Sequence, residues 1–195
     1  EEIVQIFSEI KKQKIKKIFI NENGQWKTFI DQDLIQEVKL KIMSDSICFF
    51  IDASIPRAFF LLLAICDMFQ FVMAKRDEPI LMRGGIVQGQ IYAEGDIVFG
   101  PGLTDAYLLE EKSAKYPRII ISKETLEEAK SQIDNGFLGY IDGVTQLDED
   151  GYYIIDYLSS FFRNPEKPNA AVDFYKHIIA VLDRETDPSI IGKYL

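Results

Sequence analysis

Val38-Lys39-Leu40-Lys41-Ile42-Met43-Ser44-Asp45-Ser46-Ile47-Cys48-Phe49-Phe50-Ile51 carries the clearest strand pattern in the chain, and the fold assignment starts from it. Read as a strand, residues 38–43 alternate. Val38, Leu40 and Ile42 fall on one face, and Lys39, Lys41 and Met43 on the other, with Asp45 continuing the second set. Residues 46–51 then form a returning strand, and Ser44-Asp45 sits at the turn. Lys41 and Asp45 therefore project from the same side of a sheet at the mouth of a hairpin. A carboxylate at a strand end can hold a divalent cation, and a lysine beside it can meet a base or a phosphate. The spacing by itself also fits an ordinary solvated strand face.

Upstream, residues 2–13 carry Ile3, Ile6, Phe7 and Ile10 at helical spacing. Residues 16–21 and 25–30 read as strands around Asn23-Gly24, a hairpin-turn pair. Downstream, residues 56–75 read as a long apolar helix. Residues 80–88 form a glycine-rich strand, residues 90–92 and 97–99 short strands, and residues 103–115 a helix after Gly100-Pro101-Gly102. A strand over 118–122, a helix over 123–132, strands over 137–142 and 152–157, and a helix over 170–184 complete the order, with a loop at 164–169. Mixed helices and strands in this order predict a single α+β domain, one sheet covered by helices.

The 195 residues suffice for one domain with a real core, and 47% hydrophobic with 27% charged residues is an ordinary globular balance. The net charge of −9 argues against a nucleic-acid polymer or an anionic membrane as partner, since both need clustered cations. A single nucleotide, neutralised by a metal on carboxylates, stays open. Ala58–Ala74 is broken by Asp67 and Gln70, too short and polar to span a bilayer, so it reads as a buried or interface helix with an oligomer contact open to it. Cys48 and Cys66 sit in apolar stretches and read as reduced core thiols, which points to a cytoplasmic setting. The chain opens on Glu1-Glu2-Ile3 without Met, and native sequence is expected upstream.

Two further segments bear on chemistry. Met82-Arg83-Gly84-Gly85-Ile86-Val87-Gln88-Gly89 has three glycines in a strand, which call for a close ligand or for tight helix-on-sheet packing. Asp96-Ile97-Val98-Phe99-Gly100-Pro101-Gly102 runs into a helix whose first N–H groups could receive phosphate oxygens, unless the turn is a plain loop.

The order of these segments resembles the catalytic domain of the class III nucleotidyl cyclases. Lys41-Ile42-Met43-Ser44-Asp45 stands where that family has a lysine and a Gly-Asp hairpin. Arg83-Gly84-Gly85-Ile86 with Gly89 is similar to its Arg-x-Gly-Ile strand. Asp96-Ile97-Val98-Phe99-Gly100 looks like its Asp-Ile-Trp-Gly strand end with one extra residue, and Ala106 falls where its next helix has alanine. The run Gly100–Glu110, with Ala114–Ile119, is more similar to the bacterial pyrimidine (uridylate or cytidylate) cyclases of antiphage defence, the Pycsar type. The resemblance covers about residues 1–160, leaving 161–195 as a C-terminal loop and helix packed on that domain.

The resemblance implies a cyclase-like sheet and conversion of UTP or CTP to a 3′,5′-cyclic nucleotide and pyrophosphate, as a second messenger in antiphage defence. It implies two Mg²⁺ or Mn²⁺ ions, with Asp45 the second metal-binding aspartate and the first expected upstream of Glu1. Lys41 and Asp96 match base-reading positions, and Gly100 and Thr104 are the further substrate-binding candidates. The family's transition-state Asn and Arg fall on Thr104 and Leu108, so Arg83 and Arg118 are the candidates to supply a catalytic cation. Family sites form between two domains, which implies a homodimer.

Lone His177 reads as surface or packed, and Asp148-Glu149-Asp150 as a solvated turn, since it lacks the twelve-residue calcium loop. Trp26 reads as a cover for a small apolar face, and Tyr152, Tyr153 and Tyr157 as core or interface. The competing readings are a purine nucleotide cyclase, a non-catalytic cyclase-shaped dimerisation or regulatory module, and an unrelated α+β interaction protein.

Overall fold

A two-residue connection closes the decisive hairpin. In the computed structural model, strands β3 (Lys39–Met43) and β4 (Ser46–Phe50) pair antiparallel, with Met43 opposite Ser46 and Lys41 opposite Cys48. Ser44 takes φ 56°, the left-handed conformation that primed hairpin turns require. The structure describes residues 2–12, 18–22, 25–29, 36–44, 46–76, 79–95, 97–133, 135–159, 170–184 and 186. Asp45, Asp96, the Asn23-Gly24 turn and the loop 164–169 lie outside them, as does the side chain of Trp26.

Ahead of this hairpin come helix α1 (Glu2–Lys12) and the antiparallel pair β1 (Ile18–Glu22) and β2 (Gln25–Phe29). Helix α2 (Ala58–Ala74) follows. It is the spine of the core: Phe60, Leu63 and Ile65 have no exposed surface. Phe60 meets Phe137 and Tyr140 edge-on at 4.8 and 4.9 Å, and Phe69 meets Phe49 at 5.1 Å. Much of the apolarity of this helix is thus covered within the chain, while Phe59, Leu62, Met68, Phe71 and Val72 are half-buried. Asp67 and Gln70 are buried with it.

The second half begins with β5 (Gly84–Ile86), the hairpin β6 (Tyr92–Glu94) and β7 (Ile97–Phe99), and helix α3 (Pro101–Ser113). Then come β8 (Ile119–Ile121), α4 (Lys123–Ser131), α5 (Asn135–Val144), β9 (Thr145–Leu147), β10 (Tyr153–Ile155) and α6 (Ala170–Leu182). Strands β5, β8, β10 and β9 form one sheet in that order, with β5 parallel to β8 and the rest antiparallel. Ser122 starts α4 as a side-chain cap, accepting from the Thr125 N–H at 3.1 Å.

Two expectations change. The class is α+β and one hydrophobic core runs from Phe7 to Phe174, but the strands do not join in one sheet. The described strands divide into a four-stranded sheet and three two-stranded ribbons. Beyond Ile86 the chain leaves the ladder, and Gly89 backs closely onto Gly102 of α3. Second, residues 137–142 are helical, not a strand. Phe137, Tyr140, Ile141 and Val144 recur at helical spacing and all four are buried, while Thr145–Leu147 supplies the strand before the acidic turn. No helix among the described residues is long and apolar enough to cross a membrane.

Candidate functional site

The sequence candidates fall into three places. The first centres on Lys41. A groove of about 380 Å³ is lined by Val4 and Phe7 of α1 and by Leu40, Lys41 and Ile42 of β3. Three consecutive strand residues can line one groove only along the strand's edge, since neighbouring side chains point to opposite faces. Among the described residues, the other walls are apolar and Lys41 is the one charged residue lining it.

The Lys41 ammonium donates a hydrogen bond to the carbonyl oxygen of Gly95. Gly95 is the first residue of the β6–β7 turn, between paired Glu94 and Ile97, with φ 53°. The tip of this second hairpin is therefore fastened to β3 across 54 residues of sequence. The candidate Asp96 is the next residue of that tip by chain position. The bond to the Gly95 carbonyl is a contact that sequence reasoning misses; the glycine signals a turn and nothing about its distant partner.

The second place is the N-terminal end of α3. Gly100 precedes it with φ 140°, and Pro101 is its first residue. Pro101 has no N–H to offer, and the Gly102 N–H already donates to the Gln90 carbonyl at 2.9 Å. The Thr104 hydroxyl turns back onto the Gly100 carbonyl at 3.4 Å. Two of the first-turn donors expected to meet phosphate are thus spent or missing.

The third place is the other end of the same helix. Arg83 donates to the Ala114 carbonyl at 3.3 Å and pairs with Glu110 at 2.8 Å. Arg118 donates to the Ser113 carbonyl at 2.9 Å and to the carboxylates of Asp148 and Asp150. Both guanidiniums thus serve the negative end of α3, where cations satisfy the last carbonyls. Thirteen residues of helix, roughly 20 Å at 1.5 Å per residue, separate them from Gly100. The four candidates Arg83, Arg118, Gly100 and Thr104 do not converge on one point.

Arg118 also explains the acidic turn. Its buried guanidinium bridges Asp148 and Asp150, and Asp150 holds it above its usual pKa. The hydrogen bond from Arg118 in turn lowers the Asp150 carboxyl below the usual range. The turn is closed by a resident arginine.

The glycines of 84–89 are accounted for by packing. A methyl at Gly85 would lie 2.4 Å from the Ala106 carbonyl, and one at Gly89 would lie 2.6 Å from the Gly102 Cα. Backbone meets backbone there, which is the tight helix-on-sheet alternative. Cys48 and Cys66 are free, and burial pushes the Cys66 thiol up to about 12. His177 is half-buried, with Nε2 unpartnered among the described residues. Tyr157 is buried, Tyr153 half-buried and Tyr152 exposed. Among the described residues, no group of three His, Cys, Asp or Glu is placed to hold a metal ion.

Comparison with protein-family models, with curated proteins and with solved structures gives no match.

Proposed function

We propose that this chain is a nucleotide cyclase that converts UTP or CTP to the 3′,5′-cyclic nucleotide and pyrophosphate, working as a homodimer and making a second messenger in antiphage defence. The observation that carries the reading is the bond from Lys41 to the tip of the β6–β7 hairpin. It brings together the two segments that the cyclase resemblance assigns to base reading, the one around Lys41 and the one around Asp96. The groove beside β3 is lined by apolar Val4, Phe7, Leu40 and Ile42 together with Lys41, a lining that suits a base with a cation close by.

In this reading the ribose 3′-oxygen attacks the α-phosphorus and pyrophosphate leaves. A divalent ion, Mg²⁺ or Mn²⁺, would neutralise the triphosphate in that reaction. The described residues do not form a complete ligand set for it. Asp45, at the β3–β4 turn by chain position, is the carboxylate this chain would contribute.

The test is pyrophosphate release from UTP or CTP by the full-length natural protein with Mg²⁺ or Mn²⁺. Release that is lost in Asp45→Ala supports the proposal, and unchanged turnover in that variant overturns it.

A second reading, a non-catalytic cyclase-shaped module, is favoured by one observation. Arg83 and Arg118 are both engaged at the C-terminal end of α3 and so are poorly placed to stabilise a transition state. Nucleotide binding without turnover selects this reading.

A further inference from the structure

We infer that the β6–β7 hairpin is a positioning device for Lys41, a residue that lines the groove between α1 and β3: the Gly95 carbonyl at the hairpin tip sets where the Lys41 ammonium stands. What Lys41 then does for a nucleotide rests on the reading proposed above. The mechanical coupling does not.

The two strand pairs belong to different sheets, so among the described residues no ladder hydrogen bonds hold them in register. A lysine side chain has four rotatable bonds and wide rotamer freedom, and an acceptor fixed on a turn restricts it. Gly95 is suited to be that acceptor for a conformational reason. Its φ of 53° is left-handed, and an added Cβ would meet nothing within 4 Å. Glycine is needed there for backbone shape and not for space. A β-branched residue resists this conformation, whereas asparagine tolerates it. Gly95→Val and Gly95→Asn therefore put similar bulk into the same open space and differ mainly in whether the tip keeps its shape. That pair separates a positioning role from mere crowding.

The experiment is pulse labelling of lysine amines on the whole protein, read by mass spectrometry, with exposed Lys39 on the same strand as internal reference. Gly95→Val is expected to raise Lys41 labelling relative to Lys39 by about threefold or more, and Gly95→Asn to return it toward the wild-type ratio. The same variants are tested for UTP and CTP affinity, which is expected to fall with Val and recover with Asn. Equal Lys41 labelling in wild type, Val and Asn overturns the inference. If Gly95→Val does not fold, Lys41→Met is measured by hydrogen exchange. Faster exchange at Glu94 and Ile97 supports the coupling, and unchanged exchange overturns it. A Val–Asn contrast in labelling without nucleotide binding by any form upholds the positioning role and rejects the nucleotide reading. Nucleotide binding with flat labelling does the reverse.

Discussion

Arg118 shows how a single buried side chain organises its surroundings. It sits just before β8, is 7% exposed, and holds both carboxylates of a turn thirty residues away. Replacing it with alanine leaves Asp148 and Asp150 facing each other and the Ser113 carbonyl without its donor. We expect Arg118→Ala to cost about 2 kcal/mol, less than a fully buried pair because the two acids are partly in water. Urea unfolding with a folded-state spectrum check measures it. The same pair predicts a pH effect. Asp150 has a folded-state pKa below its unfolded value, so its stabilisation is present above the unfolded pKa of about 3.9 and fades as pH falls through the lower folded value. Asp150→Asn should therefore be less stable than wild type at pH 7, and the gap should close below about pH 4. A gap that is independent of pH down to acid unfolding would contradict this.

At the scale of elements, packing decides where sequence patterns were ambiguous. The hairpin at 39–50 was legible because alternation and a two-residue turn agree. Helix α2 was legible because its apolar run is too long for a strand. Helix α5 was not: Phe137-Leu138-Gly139-Tyr140-Ile141 is a short apolar run, and such runs fit a strand or a helix. The stripe through Val144 was the available signal for a helix, and its burial against Phe60 is what makes the helix form. Phe60→Ala should cost about 3–5 kcal/mol by thermal or denaturant unfolding, since it leaves a large cavity among close-packed rings. The β5–α3 contact gives a sharper comparison. Gly85→Ala forces a methyl against backbone atoms of α3 and should cost about 1–3 kcal/mol. Ser122→Ala removes only a helix cap and should cost about 1 kcal/mol. A Gly85→Ala variant as stable as wild type would show that the helix can back away freely.

Across the whole molecule, the candidate residues were legible singly but not as a set. Lys41 stood out because a cation recurs on one face of a strand that leads into an acid-bearing turn. Its contact with Gly95 was hidden, because no local pattern announces a bond across two separate hairpins. Arg83 and Arg118 are, from sequence, the candidates to supply a catalytic cation. Their partners Glu110, Asp148 and Asp150 are brought to them only by tertiary folding. The net effect is a divided molecule. One region holds the groove under α1 and the bond from Lys41 to the β6–β7 tip, and the proposed base site rests on it. The other, at the C-terminal end of α3, is tied up in structural ion pairs. The most direct measurement is product analysis of the full-length natural protein incubated separately with UTP, CTP, ATP and GTP in Mn²⁺. A 3′,5′-cyclic pyrimidine nucleotide, diminished in Lys41→Met and absent in Asp45→Ala, is the expected result. No cyclic product from any of the four triphosphates, or equal product from Lys41→Met and wild type, would contradict the account.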